Sequence, residues 1–80
     1  MRLYTLDGKC NISGPRIREA RVKAGMSQEE LAVRMQLAGL QMGQMAVSRI
    51  ETGKRLEPDF ELPLLAAALG VTTDWLLGKE

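Results

Sequence analysis

Five residues between positions 44 and 52 could do chemistry on a partner: Gln44, Met45, Ser48, Arg49 and Thr52. At about 100° per residue they share one arc of a short helix, and Ala46, Val47 and Ile50 share the opposite one. The arc offers an amide, a hydroxyl and a guanidinium, groups that donate and accept hydrogen bonds. Bond-making chemistry would need others. The chain has no His and a single Cys, and it shows no metal-ligand spacing and no glycine-rich phosphate loop. Ser27 and Ser48 have no base to activate them, and each has a better use in capping or contact. An enzyme is the poorest reading, and no metal, cofactor or small-molecule ligand is expected.

The scaffold that must hold this arc is small. Eighty residues make one domain at most. Hydrophobic residues are 45% and charged residues 26% of the chain, enough apolar content to fold and an ordinary charge density. With one Trp, one Tyr and one Phe, the core must be built of Leu, Ile, Val, Met and Ala, a balance that suits helices. No apolar run nears the roughly 20 residues of a membrane span, and no secretory leader is visible. Cys10 alone cannot close an internal disulfide. These features lead us to expect a cytoplasmic protein, in which the glycosylation-like triplet Asn11-Ile12-Ser13 reads as chance. Net charge is +1, but it is graded: residues 1–25 carry +4, residues 26–56 carry +1 and residues 57–80 carry −4. A basic side facing a polyanion, with an acidic end facing away, gives such a gradient; so do solvated helix faces that happen to differ.

Residues 1–13 form an N-terminal arm. Leu3-Tyr4-Thr5-Leu6 and Lys9-Cys10-Asn11-Ile12 could pair as a small hairpin over a type I′ turn at Asp7-Gly8, and a loosely held segment fits equally well. The domain proper is expected over residues 14–78. Its first helix begins near Gly14-Pro15, where a first-turn proline does no harm, carries Ile17, Ala20 and Ala24 as its apolar stripe, and ends at Gly25. The second has the clearest start: Ser27-Gln28-Glu29-Glu30 is a capping box, the serine accepting a backbone N–H and Glu30 reaching back. Its stripe is Leu31, Ala32, Met35 and Ala38, and Gly39 stops it. The third runs from about Gln44 to Thr52, closed by Gly53. A fourth is expected from Pro58-Asp59, with Asp59 as N-cap, Pro63 near its first turn, and Leu62, Leu65, Ala66 and Leu69 facing the core. Gly70 ends it. Thr72 or Thr73 caps a last helix with Asp74 near its positive end and Trp75-Leu76-Leu77 as anchors, for the core or for a dimer face. Five short helices and no secure strand make the chain all-α.

Three stretches in this order, RIREARVKAGMSQEELAVRM, VSRIETGKR and LLAAALGVTTDWLLG, make the chain similar to the Cro and phage-repressor (Xre-like) helix-turn-helix family over about residues 14–78. The resemblance implies a compact five-helix bundle that binds double-stranded DNA sequence-specifically, a repressor-like transcription regulator whose third helix enters the major groove. It implies base reading by Gln44, Met45 and Arg49, with Ser48 on the same arc reaching a base or a phosphate. A glutamine suits adenine N6 and N7, an arginine guanine O6 and N7 or a phosphate, and Met45 an apolar contact such as a thymine methyl. It implies phosphate contacts by Ser27 and Gln28 at the start of the second helix, where free N–H groups favour anions, and by Thr52, Lys54 and Arg55 after the third. Arg21 and Glu51 match a structural ion pair of the family. One reading helix covers few base pairs, so a homodimer on a palindromic or repeated site is expected.

Some features depart from the family pattern. The passage from the second to the third helix is longer than usual, and the excess, in QLAGLQMG (residues 36–43), makes this a variant with a lengthened turn. Leu37, Leu40 and Met42 are expected to pin that turn to the core, Met42 by loop packing, with Met45 left exposed. Gly43 stands where a Ser or Thr is usual, an acceptable N-cap without a side-chain oxygen. Glu57, Asp59 and Glu61 lie where many relatives are more basic, so they should face away from the duplex and keep non-specific affinity modest. The rival reading is a protein–protein or antitoxin-like adaptor module that keeps the fold. A polar, basic outer arc favours DNA, whereas an adaptor helix would show apolar anchors, and only Met45 leans that way.

Overall fold

The structure, a computed structural model, describes residues 5–80. Its helices are α1 Gly14–Lys23, α2 Gln28–Leu37, α3 Gln44–Glu51, α4 Leu62–Leu69 and α5 Thr73–Leu76. Among the described residues there is no strand, only an isolated antiparallel bridge between Leu6 and Lys9. Asp7 and Gly8 both have positive φ, 52° and 77°, the type I′ geometry an Asp-Gly pair favours. Leu3 and Tyr4 of the hairpin considered above lie outside the described residues.

None of these helices exceeds ten residues, a length that is marginal in isolation, so ends and packing decide. α2 starts on a complete capping box, Ser27 Oγ accepting from Glu30 N at 3.0 Å and Glu30 Oε1 accepting from Ser27 N at 3.2 Å. A cap of this kind contributes about 1 kcal/mol. α1, α2 and α4 end alike, on a left-handed glycine followed by an apolar residue that folds back: Met26 N donates to Arg21 O, Leu40 N to Met35 O, and Val71 N to Ala66 O. Met26 is buried and Leu40 and Val71 pack on the core. α3 ends with the same backbone bonds, Gly53 N to Ile50 O and Lys54 N to Arg49 O, but there the returning residue is an exposed lysine.

The core lies between α1, α2, α3 and α4, with α5 closing against α1 and α4. Ile17, Leu31, Met35, Met42, Val47, Ile50, Leu65 and Leu76 are its fully buried residues. Trp75 and Leu77 pack partly buried beside it, and Arg16 crosses the Trp75 ring 4.9 Å from its centre. No helix among the described residues is long and apolar enough to cross a membrane.

Several boundaries differ from the sequence reading. α4 begins at Leu62, not after Asp59. A helix capped by Asp59 would need Pro63 to donate an N–H to the Asp59 carbonyl, and proline has none. Turns fill the gap instead, Glu61 N to Pro58 O at 3.1 Å and Leu62 N to Asp59 O at 3.3 Å. Ala24 and Ala38 are exposed C-cap residues rather than core, because α1 and α2 have already stopped. Leu37 is 84% exposed and pins nothing. α2 runs on through it, which places it about 200° round the helix from buried Met35. The connection at residues 38–43 is held by Leu40, by Met42, which is fully in the core, and by Gln36 Nε2 donating to Met42 O at 2.8 Å.

Candidate nucleic-acid interface

α3 takes its orientation from what it packs on. Val47 and Ile50 point between α1 and α2, and Ala46 is half-buried beside them. That leaves Gln44, Met45, Arg49 and Thr52 exposed and Ser48 half-buried on the outer arc, with Met45 61% exposed.

The inner side of α3 ends on a charge. The buried Glu51 carboxylate accepts Arg21 Nε at 2.6 Å and Arg21 Nη2 at 3.1 Å, and Arg21 Nη1 donates to the Met26 carbonyl at 2.8 Å. A two-pronged pairing fixes direction as well as distance. The hydrogen bond to Glu51 raises the Arg21 pKa against the opposing effect of burial, so the guanidinium stays charged. Removing one partner would strand a buried charge, at a cost of about 3–5 kcal/mol. From here the bonding continues outward. Glu51 Oε1 also accepts Gln28 Nε2 at 3.1 Å, and Gln28 Oε1 accepts Gln44 Nε2 at 2.6 Å. Arg21, Glu51, Gln28 and Gln44 thus form one chain from α1 to the first residue of α3. Gln44 keeps its amide oxygen and one N–H, the pair that an adenine edge requires.

The residues expected at phosphates fall into two groups. Ser27 Oγ, exposed at the start of α2, accepts from Glu30 N and keeps its own proton to donate. Thr52 is exposed, its Oγ1 donating to Ser48 O at 3.0 Å, and Lys54 is exposed beyond it. Gln28, by contrast, is half-buried with both ends of its amide engaged, and its geometry serves Gln44. Arg55 departs furthest. Its guanidinium donates to Glu61 Oε1 at 3.0 Å and Oε2 at 3.3 Å, with Glu57 3.7 Å away, and the bond to Glu61 raises its pKa. The turns before α4 bring Glu61 back onto Arg55, a pairing no helical period announces.

The sequence marked the arm but not what it holds. Lys9, Cys10 and Asn11 bond to the backbone at the end of α3 and in the loop after it. Asn11 Oδ1 also accepts from Gly14 N, at the first residue of α1, at 2.8 Å, although the N-cap position itself falls to Ser13. The partners of Asn11 on α3 leave no trace in the sequence.

The fold and this exposed, polar third helix define a helix-turn-helix protein. The family model described as "Helix-turn-helix" matches residues 17–76, and the chain belongs to that family. Among solved structures the chain is similar to the P22 c2 repressor protein, crystallised in complex with synthetic operator 9T in the presence of Tl+. The two share 26% identity, with a TM-score of 0.72 over 88% of this chain and 98% of the repressor chain.

Proposed function

We propose that this protein binds double-stranded DNA sequence-specifically, as a repressor-like transcription regulator, with α3 in the major groove. The observation that carries this reading is the outer arc of α3, polar and basic on a helix whose other face is locked into the core. The likeness to a repressor solved on its operator supports it. Gln44, held by Gln28, reads an adenine; Arg49 reads a guanine; Met45 meets a thymine methyl; Ser48 reaches a base or the backbone. Ser27 and Lys54 bind phosphates, and Thr52 joins them when its hydroxyl turns from the Ser48 carbonyl to the backbone of the DNA. Gln28 acts through Gln44, and Arg55, committed to Glu61, is left out of the contacts. The same reading places the protein in the cytoplasm with its DNA.

A homodimer follows from reach. An α3 of eight residues is about 12 Å long and spans roughly three to four base pairs, and a two-fold partner would read a second half-site one turn away. Leu6, Ile12, Leu56 and Phe60 are 64, 57, 44 and 65% exposed, and the first three line one cleft. Grouped apolar surface of this kind marks an association site. Lys9 and Asp59 lie on the same cleft, opposite charges that a self-complementary interface can pair across its axis. Selection from random duplexes tests the whole reading. An enriched motif, bound with steep salt dependence, is expected. No enrichment, with binding indifferent to salt, overturns it and leaves the adaptor reading.

A further inference from the structure

Three consecutive arm residues fasten the far end of α3. Lys9 Nζ donates to the Thr52 carbonyl at 3.2 Å, Cys10 N donates to the Gly53 carbonyl at 2.8 Å, and Asn11 Nδ2 donates to the Ile50 and Arg55 carbonyls at 3.0 and 2.8 Å. Asn11 works in both directions, since its Oδ1 accepts from Gly14 N at 2.8 Å. One half-buried amide therefore joins the start of α1, the last turn of α3 and the loop that carries Lys54. The backbones approach closely as well. A Cβ on Gly14 would run into the Ile50 carbonyl oxygen, and one on Gly53, at φ 78°, into the Lys9 side chain.

Carbonyls at a helix C-terminus lack intrahelical donors. Gly53 N and Lys54 N serve Ile50 O and Arg49 O, and the arm supplies donors to the carbonyls of Thr52, Gly53 and Arg55. With those carbonyls bound to the arm and the Arg55 guanidinium bound to Glu61, the exposed Lys54 side chain rises from an anchored backbone. The other end of α3 is already held by the chain from Arg21 to Gln44. A rod needs two attachments to keep its pitch, and groups that must meet a partner within about 0.5 Å depend on such support.

We propose that Asn11 is a positioning residue for DNA recognition: it sets the pitch of α3 and the place of the Lys54 loop against α1, and so sharpens discrimination between sequences without touching DNA. The inference rests on the reading of α3 as the helix that enters the groove. Asn11→Asp keeps an oxygen for Gly14 N but turns the donor that served Ile50 and Arg55 into an acceptor. Asn11→Ser keeps a short acceptor and is too short to span the two carbonyls. Each variant is compared with wild type on the selected site and on random duplex of equal length, well below its melting temperature. The ratio of selected to random affinity is expected to fall about three- to tenfold, the added charge of the Asp variant weakening both duplexes alike. Partial unfolding scales both affinities together and leaves the ratio intact, so an unchanged ratio overturns the inference. If the Asp variant does not fold, the Ser variant decides on the same ratio. If wild type selects no site, the DNA reading itself has failed. Amide exchange at Gly53 and Lys54, expected to quicken in Asn11→Ser, then tests the fastening alone, and unchanged exchange there overturns it.

Discussion

At the scale of the residue, the proposed function gives the exposed cations different duties. Arg49 faces outward from α3, so Arg49→Ala should cost about 1–3 kcal/mol on the selected site and relax one or two base positions. Lys54→Ala should weaken all duplexes about equally and reduce the salt slope by about 1. Titrating the affinity of each variant against salt, on selected and random duplex, separates the two. Glu57 behaves differently. Both of its carboxylate oxygens are buried and accept no hydrogen bond among the described residues. Burial first, then the neighbouring Glu61 carboxylate, push its pKa from 4.5 up to about 8, against the pull of Arg55. Lys9, Cys10 and Asp59 line the same cleft. At neutral pH the folded protein keeps a proton on Glu57 that the unfolded chain has released. Its contribution is therefore full below about pH 4.5 and is lost as the pH rises toward about 8. Glu57→Gln, which mimics the protonated acid, should flatten the fall in melting temperature over that window and leave the variant more stable than wild type at its upper end. An equally steep fall in the variant would show that another group titrates there.

At the scale of the element, the connection between α2 and α3 depends on which of its apolar residues turn inward. Met42 is 1% exposed and Leu37 is 84% exposed, although the two are equally plausible anchors by residue type. Met42→Ala should cost about 2–5 kcal/mol through the cavity it leaves, whereas Leu37→Ala should stay within about 0.5 kcal/mol. Denaturant midpoints measure both. Losing Met42 should also loosen the N-terminal end of α3, since its buried side chain anchors the turn two residues before Gln44 and only the Gln36 bond to the residue 42 carbonyl remains there. The late start of α4 has a comparable consequence. By yielding residues 58–61 to turns, the chain brings Glu61 onto Arg55 and commits that guanidinium.

At the scale of the whole molecule, the arm and the loop before α4 meet on one side. There Leu6, Ile12 and Leu56 stay exposed around one cleft, and Phe60 is exposed in the loop before α4. If that side joins two copies on DNA, Phe60→Ser should leave affinity for a single half-site unchanged. Affinity for a two-half-site duplex should fall about tenfold or more, as the second copy loses its help. Mobility shifts on one- and two-half-site duplexes give the comparison, and equal behaviour of variant and wild type on both would move the dimer contact elsewhere. The charge gradient follows the same organisation in part. Two of the three carboxylates between residues 57 and 61 are drawn in against Arg55 instead of standing in solvent.

Local signals determined the element plan by themselves. The Ser27-to-Glu30 capping box, the glycines that end helices and the apolar positions Ile17, Leu31, Met35, Ile50, Leu65 and Leu69 all act within a turn or two of their own positions, and the structure uses them as read. The outer arc of α3 was legible for the same reason, because helical period decides which side chains share a face. What only the tertiary structure decided is how that arc is held and which neighbours remain available to it. Gln28 meets Gln44 across 16 positions and Asn11 meets Arg55 across 44, while the Arg21–Glu51 pair, across 30, was expected from the family resemblance alone and forms in the structure. Hydrogen bonds between such distant positions depend on how the helices pack, and packing integrates the whole chain.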